Sequence, residues 1–167
     1  MEGNKKNKSH ALLIFGAPGS GKTTFAKKFA EKYGLAYYDL KEIAEKDGFT
    51  PEVILEIISL IARTKQSFVI EGFLDTEKER TEMRNTLRTA GYAPALIWIQ
   101  TDFSTLRLRL KSKHRSVTKA KEVYEKAVAE METPADFEKP IILSGKHTFE
   151  TQTKHTLAGL AELTDTK

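Results

Sequence analysis

Short apolar runs alternate with helical patterns along this chain. Five runs have strand length: Ala11–Phe15, Leu35–Tyr38, Ser67–Glu71, Ala95–Gln100 and Pro140–Ser144. They are near-continuous rather than alternating, which predicts strands buried on both faces, as in a parallel sheet. Between them the period changes. Phe25, Ala26, Phe29, Ala30 and Tyr33 fall on one helical face, with Gly34 placed as a C-cap. Thr50-Pro51 opens a helix with the apolar stripe Val53, Ile54, Ile57, Ile58 and Ile61. Thr76 with Glu79 makes a capping box, and Gly91 closes that helix. Ala120, Val123, Tyr124, Ala127, Val128 and Met131 form another stripe, ended before Pro134. Leu157, Leu160, Ala161 and Leu163 give the last helix its expected buried face. The order β-α-β-α-β-α-β-α-α-β-α predicts an open, mostly parallel, three-layer α/β fold.

Composition narrows this little. A chain of 167 residues suits one domain with a real core. Residues 1–10 are polar and basic and read as a flexible tail, leaving 11–167 as a single domain. The apolar run after the tail is too short for a secretory h-region, and no stretch has bilayer-spanning length. There are no cysteines, which excludes disulfides and thiolate metal sites. A cytoplasmic location is the expectation. The net charge of +4 attracts phosphates in general but does not by itself argue for nucleic acid.

The chemistry is concentrated in one segment. Gly16, Ala17, Pro18, Gly19, Ser20, Gly21, Lys22 and Thr23 match G-x-x-x-x-G-K-[ST] in full, with Thr24 next. A strand enters this loop and an amphipathic helix leaves it. The glycines permit backbone angles that let successive N–H groups turn onto one anion, and the helix dipole adds positive potential. Lys22 is placed to reach the β- and γ-phosphates of ATP, and Thr23 offers a hydroxyl to Mg²⁺. No N-K-x-D segment for reading guanine follows.

With this loop, the strand end Ile70-Glu71-Gly72, the helix carrying Arg80 with Ala90-Gly91-Tyr92 after it, the strand Leu96-Ile97-Trp98-Ile99 and the segment leading to Met131-Glu132-Thr133-Pro134, the chain resembles the small AAA-type P-loop kinases. These are the polynucleotide-kinase-like and zeta-toxin-like domains of the adenylate-kinase-like fold. The resemblance implies a five-stranded sheet of order 2-3-1-4-5, an acceptor region after strand 2, and a basic helical lid, here about residues 107–131.

The resemblance also assigns roles. Asp39, at the end of strand 2, matches the carboxylate that takes the proton of the attacking hydroxyl. Asp39 with Glu42 also reads as a capping box, and the two roles are compatible. Lys41 is the basic residue nearest to it. Glu71 stands where relatives usually carry Asp near the Mg²⁺ shell. It reads as a metal-side carboxylate, as the base itself, or as a solvated strand end. Asp75 reads as a helix cap. Arg80, Arg84 and Arg88 share a helix face, either solvated or turned to an anionic acceptor. Arg107, Arg109, Lys111, Lys113, His114 and Arg115 lie in the lid, and Arg109 and Arg115 are the candidate transition-state arginines, with Arg107 equal on spacing. Gly145-Lys146-His147 matches the loop that borders the adenine, with His147 packed there or on the surface. Trp98 reads as core.

The expected function is transfer of the γ-phosphate of Mg·ATP to a small-molecule, nucleoside or nucleotide acceptor. Two other classes stay open: a polynucleotide 5′-hydroxyl kinase, with Tyr37, Tyr38 and Phe73 as stacking candidates, and a non-catalytic ATP-binding regulatory domain.

Overall fold

The computed structural model describes residues 8–113 and 117–165. Five parallel strands form one sheet: β1 (His10–Phe15), β2 (Ala36–Asp39), β3 (Phe68–Glu71), β4 (Ala93–Gln100) and β5 (Ile141–Ser144). Their spatial order is β2-β3-β1-β4-β5, the order the resemblance implies. The helices are α1 (Lys22–Tyr33), α2 (Leu40–Asp47), α3 (Pro51–Ala62), α4 (Glu77–Thr89), α5 (Phe103–Lys113), α6 (Val117–Glu130) and α7 (Phe149–Asp165). A 3₁₀ turn, Asp136–Glu138, precedes β5.

β1 explains the continuous apolar runs. It is paired on both edges, and its side chains enter two separate cores. Ala11, Leu13 and Phe15 pack with Leu40, Ile54, Ile58, Met83 and Leu87 beneath α2, α3 and α4. Leu12 and Ile14 pack with Phe25, Ala26, Phe29 and Val69 beneath α1 and α7. With no solvated face, β1 has no polar alternation. Among the described residues no helix is long and apolar enough to cross a membrane.

The α7 expectation needs correcting. Leu157, Ala161 and Leu163 are exposed, Leu160 is half-buried and packs against the core beneath α1 as expected, and the fully buried polar positions are Gln152, Thr153 and Thr156. The helix lies close on β5: a Cβ on Gly159 would stand 2.6 Å from Cγ1 of Ile141, which leaves no room for a large side chain. Two of these three polar side chains have partners at hand, while the buried Thr153 Oγ1 has none. Gln152 Nε2 donates to the Ser144 carbonyl at 2.9 Å, and Thr156 Oγ1 to the Gln152 carbonyl at 2.9 Å. The helical spacing of 152, 153, 156 and 159 was the sequence signal for this face.

Candidate active site

β1 ends at Phe15 and the chain turns through Gly16–Gly21 into α1. The first residue of the turn must be glycine. A Cβ on Gly16 would meet the Ile99 carbonyl oxygen at 2.5 Å and Ser20 Oγ at 2.9 Å. The loop is internally tied by Ser20 N–H donating to the Ala17 carbonyl at 3.0 Å. Gly21 caps α1 without any side-chain cap bond, so the first-turn N–H groups have no side chain covering them. Their dipole end points where Lys22, the first residue of the helix, begins. Pro18, Gly19, Gly21, Lys22, Thr23, Thr24 and Arg109 are among the residues around a cavity of about 610 Å³.

Beneath the loop, Thr23 and Glu71 meet. Thr23 Oγ1 donates to Glu71 Oε1 at 2.8 Å, and the Tyr37 hydroxyl donates to the same oxygen at 2.7 Å. Glu71 is 3% exposed, and its Oε2 is buried with no hydrogen-bond partner. The solvated strand-end reading is therefore wrong: β3 is an inner strand, and α1 covers its end. Burial, then the hydrogen bond and the charge of Glu71, hold the Tyr37 hydroxyl well above the usual phenol range, so it stays a donor. An orphaned carboxylate oxygen beside a hydroxyl with free lone pairs is a donor set that suits Mg²⁺, a hard cation that takes one or two carboxylates plus phosphate oxygens. The residues fit that ion.

Asp39 pairs in register with Glu71 across β2 and β3, so both carboxylates lie at the same sheet edge. Asp39 is the N-cap of α2 and accepts from the Glu42 N–H at 3.0 Å. Only half of the capping box forms, because the Glu42 carboxylate pairs with Lys46 at 2.6 Å. Lys41 does not attend Asp39 either. It pairs with Asp75 at 2.6 Å. Asp75 is not the cap of α4, since Thr76 and Glu79 form that box reciprocally.

The arginines divide. Arg80 is completely buried and is neither solvated nor available to an acceptor. Its Nε and Nη2 donate to Glu138 at 2.7 and 2.9 Å, and its Nη1 donates to the carbonyls of Leu74, Asp75 and Glu132. Its guanidinium also lies 5.1 Å from the centre of the Phe15 ring. Arg84 is half-buried and Arg88 exposed, so burial falls off along one helix face. Arg109 reaches down from α5 onto the phosphate loop. Its Nη1 donates to the carbonyls of Gly19 (3.1 Å) and Ser20 (3.2 Å), and its Nη2 to that of Gly145 (2.8 Å). Arg107 is exposed. Arg115 and His114 lie outside the described residues.

Gly145 closes the far side of the cavity. A methyl group there would stand 1.9 Å from Thr101 Oγ1 and 2.4 Å from the Ser20 carbonyl oxygen. Gly145→Ala is expected to cost about 1–3 kcal/mol through overpacking, lowering the melting temperature by about 2–4 °C per kcal/mol. Nucleotide affinity should fall with it, because Ser20 is part of the loop. Differential scanning fluorimetry with and without ATP checks both; an unchanged melting temperature counts against this fit.

His147 is exposed. It borders the phosphate-side cavity and a second one of about 730 Å³, and its ring centre is 5.9 Å from that of His155. Trp98 is only partly core. It stacks on Phe15 at 6.0 Å and lines the second cavity. Tyr37 and Tyr38 pack against the two cores, one on each sheet face, rather than displaying stacking surfaces.

The family model for the AAA domain matches residues 12–138. The chain belongs to the AAA domain family. This AAA domain is 35% identical over 100 residues to the adenylate kinase of Pyrococcus furiosus, covering 48% of this chain and 46% of that one. It thus spans about half the length of the Pyrococcus and Thermococcus adenylate kinases it matches. Among solved structures it is similar to a gluconokinase from Sinorhizobium meliloti, with a TM-score of 0.71, 16% identity and 95% of each chain covered. The Mycobacterium tuberculosis APS kinase gives a TM-score of 0.67 at 16% identity, covering 92% of this chain and 98% of that one. The fold of this AAA domain is that of small P-loop kinases.

Proposed function

We propose that this AAA domain is an ATP-dependent phosphotransferase acting on a small-molecule, nucleoside or nucleotide acceptor, at a hydroxyl or a phosphate oxygen. The observation that carries the reading is the junction of the phosphate loop with the buried Thr23–Glu71 contact, one strand from Asp39. Loop N–H groups and Lys22 hold the triphosphate. Thr23 and Glu71 would hold Mg²⁺, which when bound neutralises charge on the β- and γ-phosphate oxygens. The acceptor oxygen attacks the γ-phosphorus, the bond from that phosphorus to the β,γ-bridging oxygen breaks, and ADP leaves. Asp39 accepts the hydroxyl proton. Arg109 supplies positive charge from the lid side, with Arg115 as the second lid arginine. The similarity to adenylate kinases and to kinase structures supports this class.

Asp39 is the decisive residue, because its two roles separate chemically. Asparagine caps helices as well as aspartate does but takes up no proton. Asp39→Asn is expected to keep its melting temperature and to lose about 10²–10⁴-fold in kcat. Asp39→Ala should lose both activity and about 1 kcal/mol of stability. The assay is transfer from radiolabelled ATP with Mg²⁺ to a panel of nucleosides, nucleotides, sugars, sugar acids and a 5′-hydroxyl oligonucleotide. Undiminished transfer by Asp39→Asn removes the base assignment. Nucleotide binding by the wild type without transfer to any acceptor or to water favours a regulatory domain.

A further inference from the structure

Tyr37 carries no motif, yet its side chain is built into the site. Strand alternation puts Tyr37 and Asp39 on one face of β2 and Val69 and Glu71 on one face of β3. Tyr37 packs in the core beneath α1, with Lys27 Nζ 5.5 Å from its ring centre. Its hydroxyl and that of Thr23 both donate to Glu71 Oε1, at 2.7 and 2.8 Å. The second oxygen, Oε2, is buried and has no hydrogen-bond partner.

This asymmetry has a physical use. A glutamate has one more rotatable bond than an aspartate, and freezing such side-chain freedom costs free energy. Two donors converging on one carboxylate oxygen fix the plane of the group and so fix where the other oxygen lies. Thr23 cannot do this alone, because a single hydrogen bond leaves the carboxylate free to turn about it. Tyr37 is anchored in the core and comes from a different element.

We propose that Tyr37 is a positioning residue for the metal site: its hydroxyl locks Glu71 so that Oε2 is the oxygen presented to the divalent cation. The proposal rests on the assignment of Thr23 and Glu71 as the protein's contacts to that cation. Tyr37 itself touches neither cation nor nucleotide. It belongs to the supporting layer that orients a ligand, where loss of one partner typically weakens metal binding about 10–100-fold.

The test is direct titration of Mn²⁺, followed by electron paramagnetic resonance, into the intact protein saturated with the non-hydrolysable analogue AMP-PNP. The variants are Tyr37→Phe, which removes only the hydroxyl, and Glu71→Gln. Calorimetry measures AMP-PNP binding without metal. Tyr37→Phe is expected to weaken Mn²⁺ binding about 10-fold and to leave metal-free AMP-PNP binding unchanged. Glu71→Gln should weaken Mn²⁺ binding at least as much. Retained Mn²⁺ affinity in Tyr37→Phe, with loss in Glu71→Gln, overturns the role of Tyr37 alone. Retained affinity in both overturns the assignment of Glu71, and the proposal with it. Equal weakening of AMP-PNP binding with and without metal by Tyr37→Phe means a general packing role, which also overturns it.

Discussion

Lys22→Met should abolish most phosphoryl transfer while the protein stays folded. Lys22 is the first residue of α1 and one wall of the cavity bounded by the phosphate loop. On the proposed reading its ammonium would stand where negative charge redistributes as the γ-phosphoryl group leaves ADP. A fixed charge aimed at a developing charge contributes mainly in the transition state, and losing one such group typically costs about 10²–10³-fold in kcat, or about 2.7–4 kcal/mol. Because the interaction strengthens on the way to the transition state kcat should fall, and because Lys22 also holds the bound triphosphate the KM for ATP should rise, so kcat/KM falls further than kcat. Methionine keeps length and helix propensity, so the melting temperature should hold. Lys22→Arg is not a rescue: a planar guanidinium does not occupy the space of a compact ammonium. Steady-state kinetics with an ADP-coupled assay, beside AMP-PNP calorimetry, read these quantities. A kcat within a few fold of wild type would remove Lys22 from the chemistry and leave only a binding loop.

That prediction was available from the sequence because all of its parts are consecutive. The phosphate loop, its strand and its helix form one local unit, and local units are what residue spacing reports. The sheet was legible for a related reason. Strands such as β1 are buried on both faces, and two-sided burial writes a continuous apolar run into the chain. Asp39 and Glu71 were legible as strand ends, since carboxylates at the carboxyl edge of a parallel sheet face the ligand side.

What stayed hidden was which way a periodic face points and what it meets. The spacing of Arg80, Arg84 and Arg88 places them on one side of α4 but cannot say that α4 turns the first of them inward. The partner, Glu138, lies 58 positions away in a 3₁₀ turn with no local signal. Glu71 was placed correctly on the chain, but its burial depends on α1 and Tyr37 closing over it. α7 was legible only in part: Leu160 does pack against the core, but Leu157 and Leu163 are exposed, because the close approach of Gly159 to Ile141 selects a face of small and polar residues beside it.

The hidden ion pair carries the larger stability effect. Arg80→Met should destabilise the fold by about 3–5 kcal/mol, since it leaves the Glu138 carboxylate buried without its cation. Arg80 and Glu138 are 0% and 1% exposed, so water cannot take over. Burial opposes ionisation of Glu138, but the hydrogen bond from Arg80, the Ala135 N–H and the Arg80 charge outweigh it and hold the carboxyl below its ordinary range. A depressed carboxyl contributes stability above its unfolded value, about pH 4.3, and loses it as pH falls through the lower folded value. The wild type should therefore lose this part of its stability only in acid below that point. The double variant Arg80→Met with Glu138→Leu separates the pair from its surroundings. Replacing both charges by apolar groups is often neutral, but here the carbonyls of Leu74, Asp75 and Glu132 also lose their hydrogen bond from Arg80, and only that of Asp75 keeps another, from the Glu132 N–H. Stability should thus rank wild type first, the double variant second and Arg80→Met last, by urea unfolding at pH 7. The same three carbonyls link the loop after β3 to the segment that follows α6, where Glu132 N–H donates to the Asp75 carbonyl and Glu132 Oε2 accepts from the Glu77 N–H. Removing Arg80 should therefore loosen both segments together, read as amide exchange at residues 74–77 and 131–133 that accelerates more than exchange in the sheet. Exchange confined to one of the two segments would mean that Arg80 stabilises the core without coupling the loop after β3 to the segment after α6.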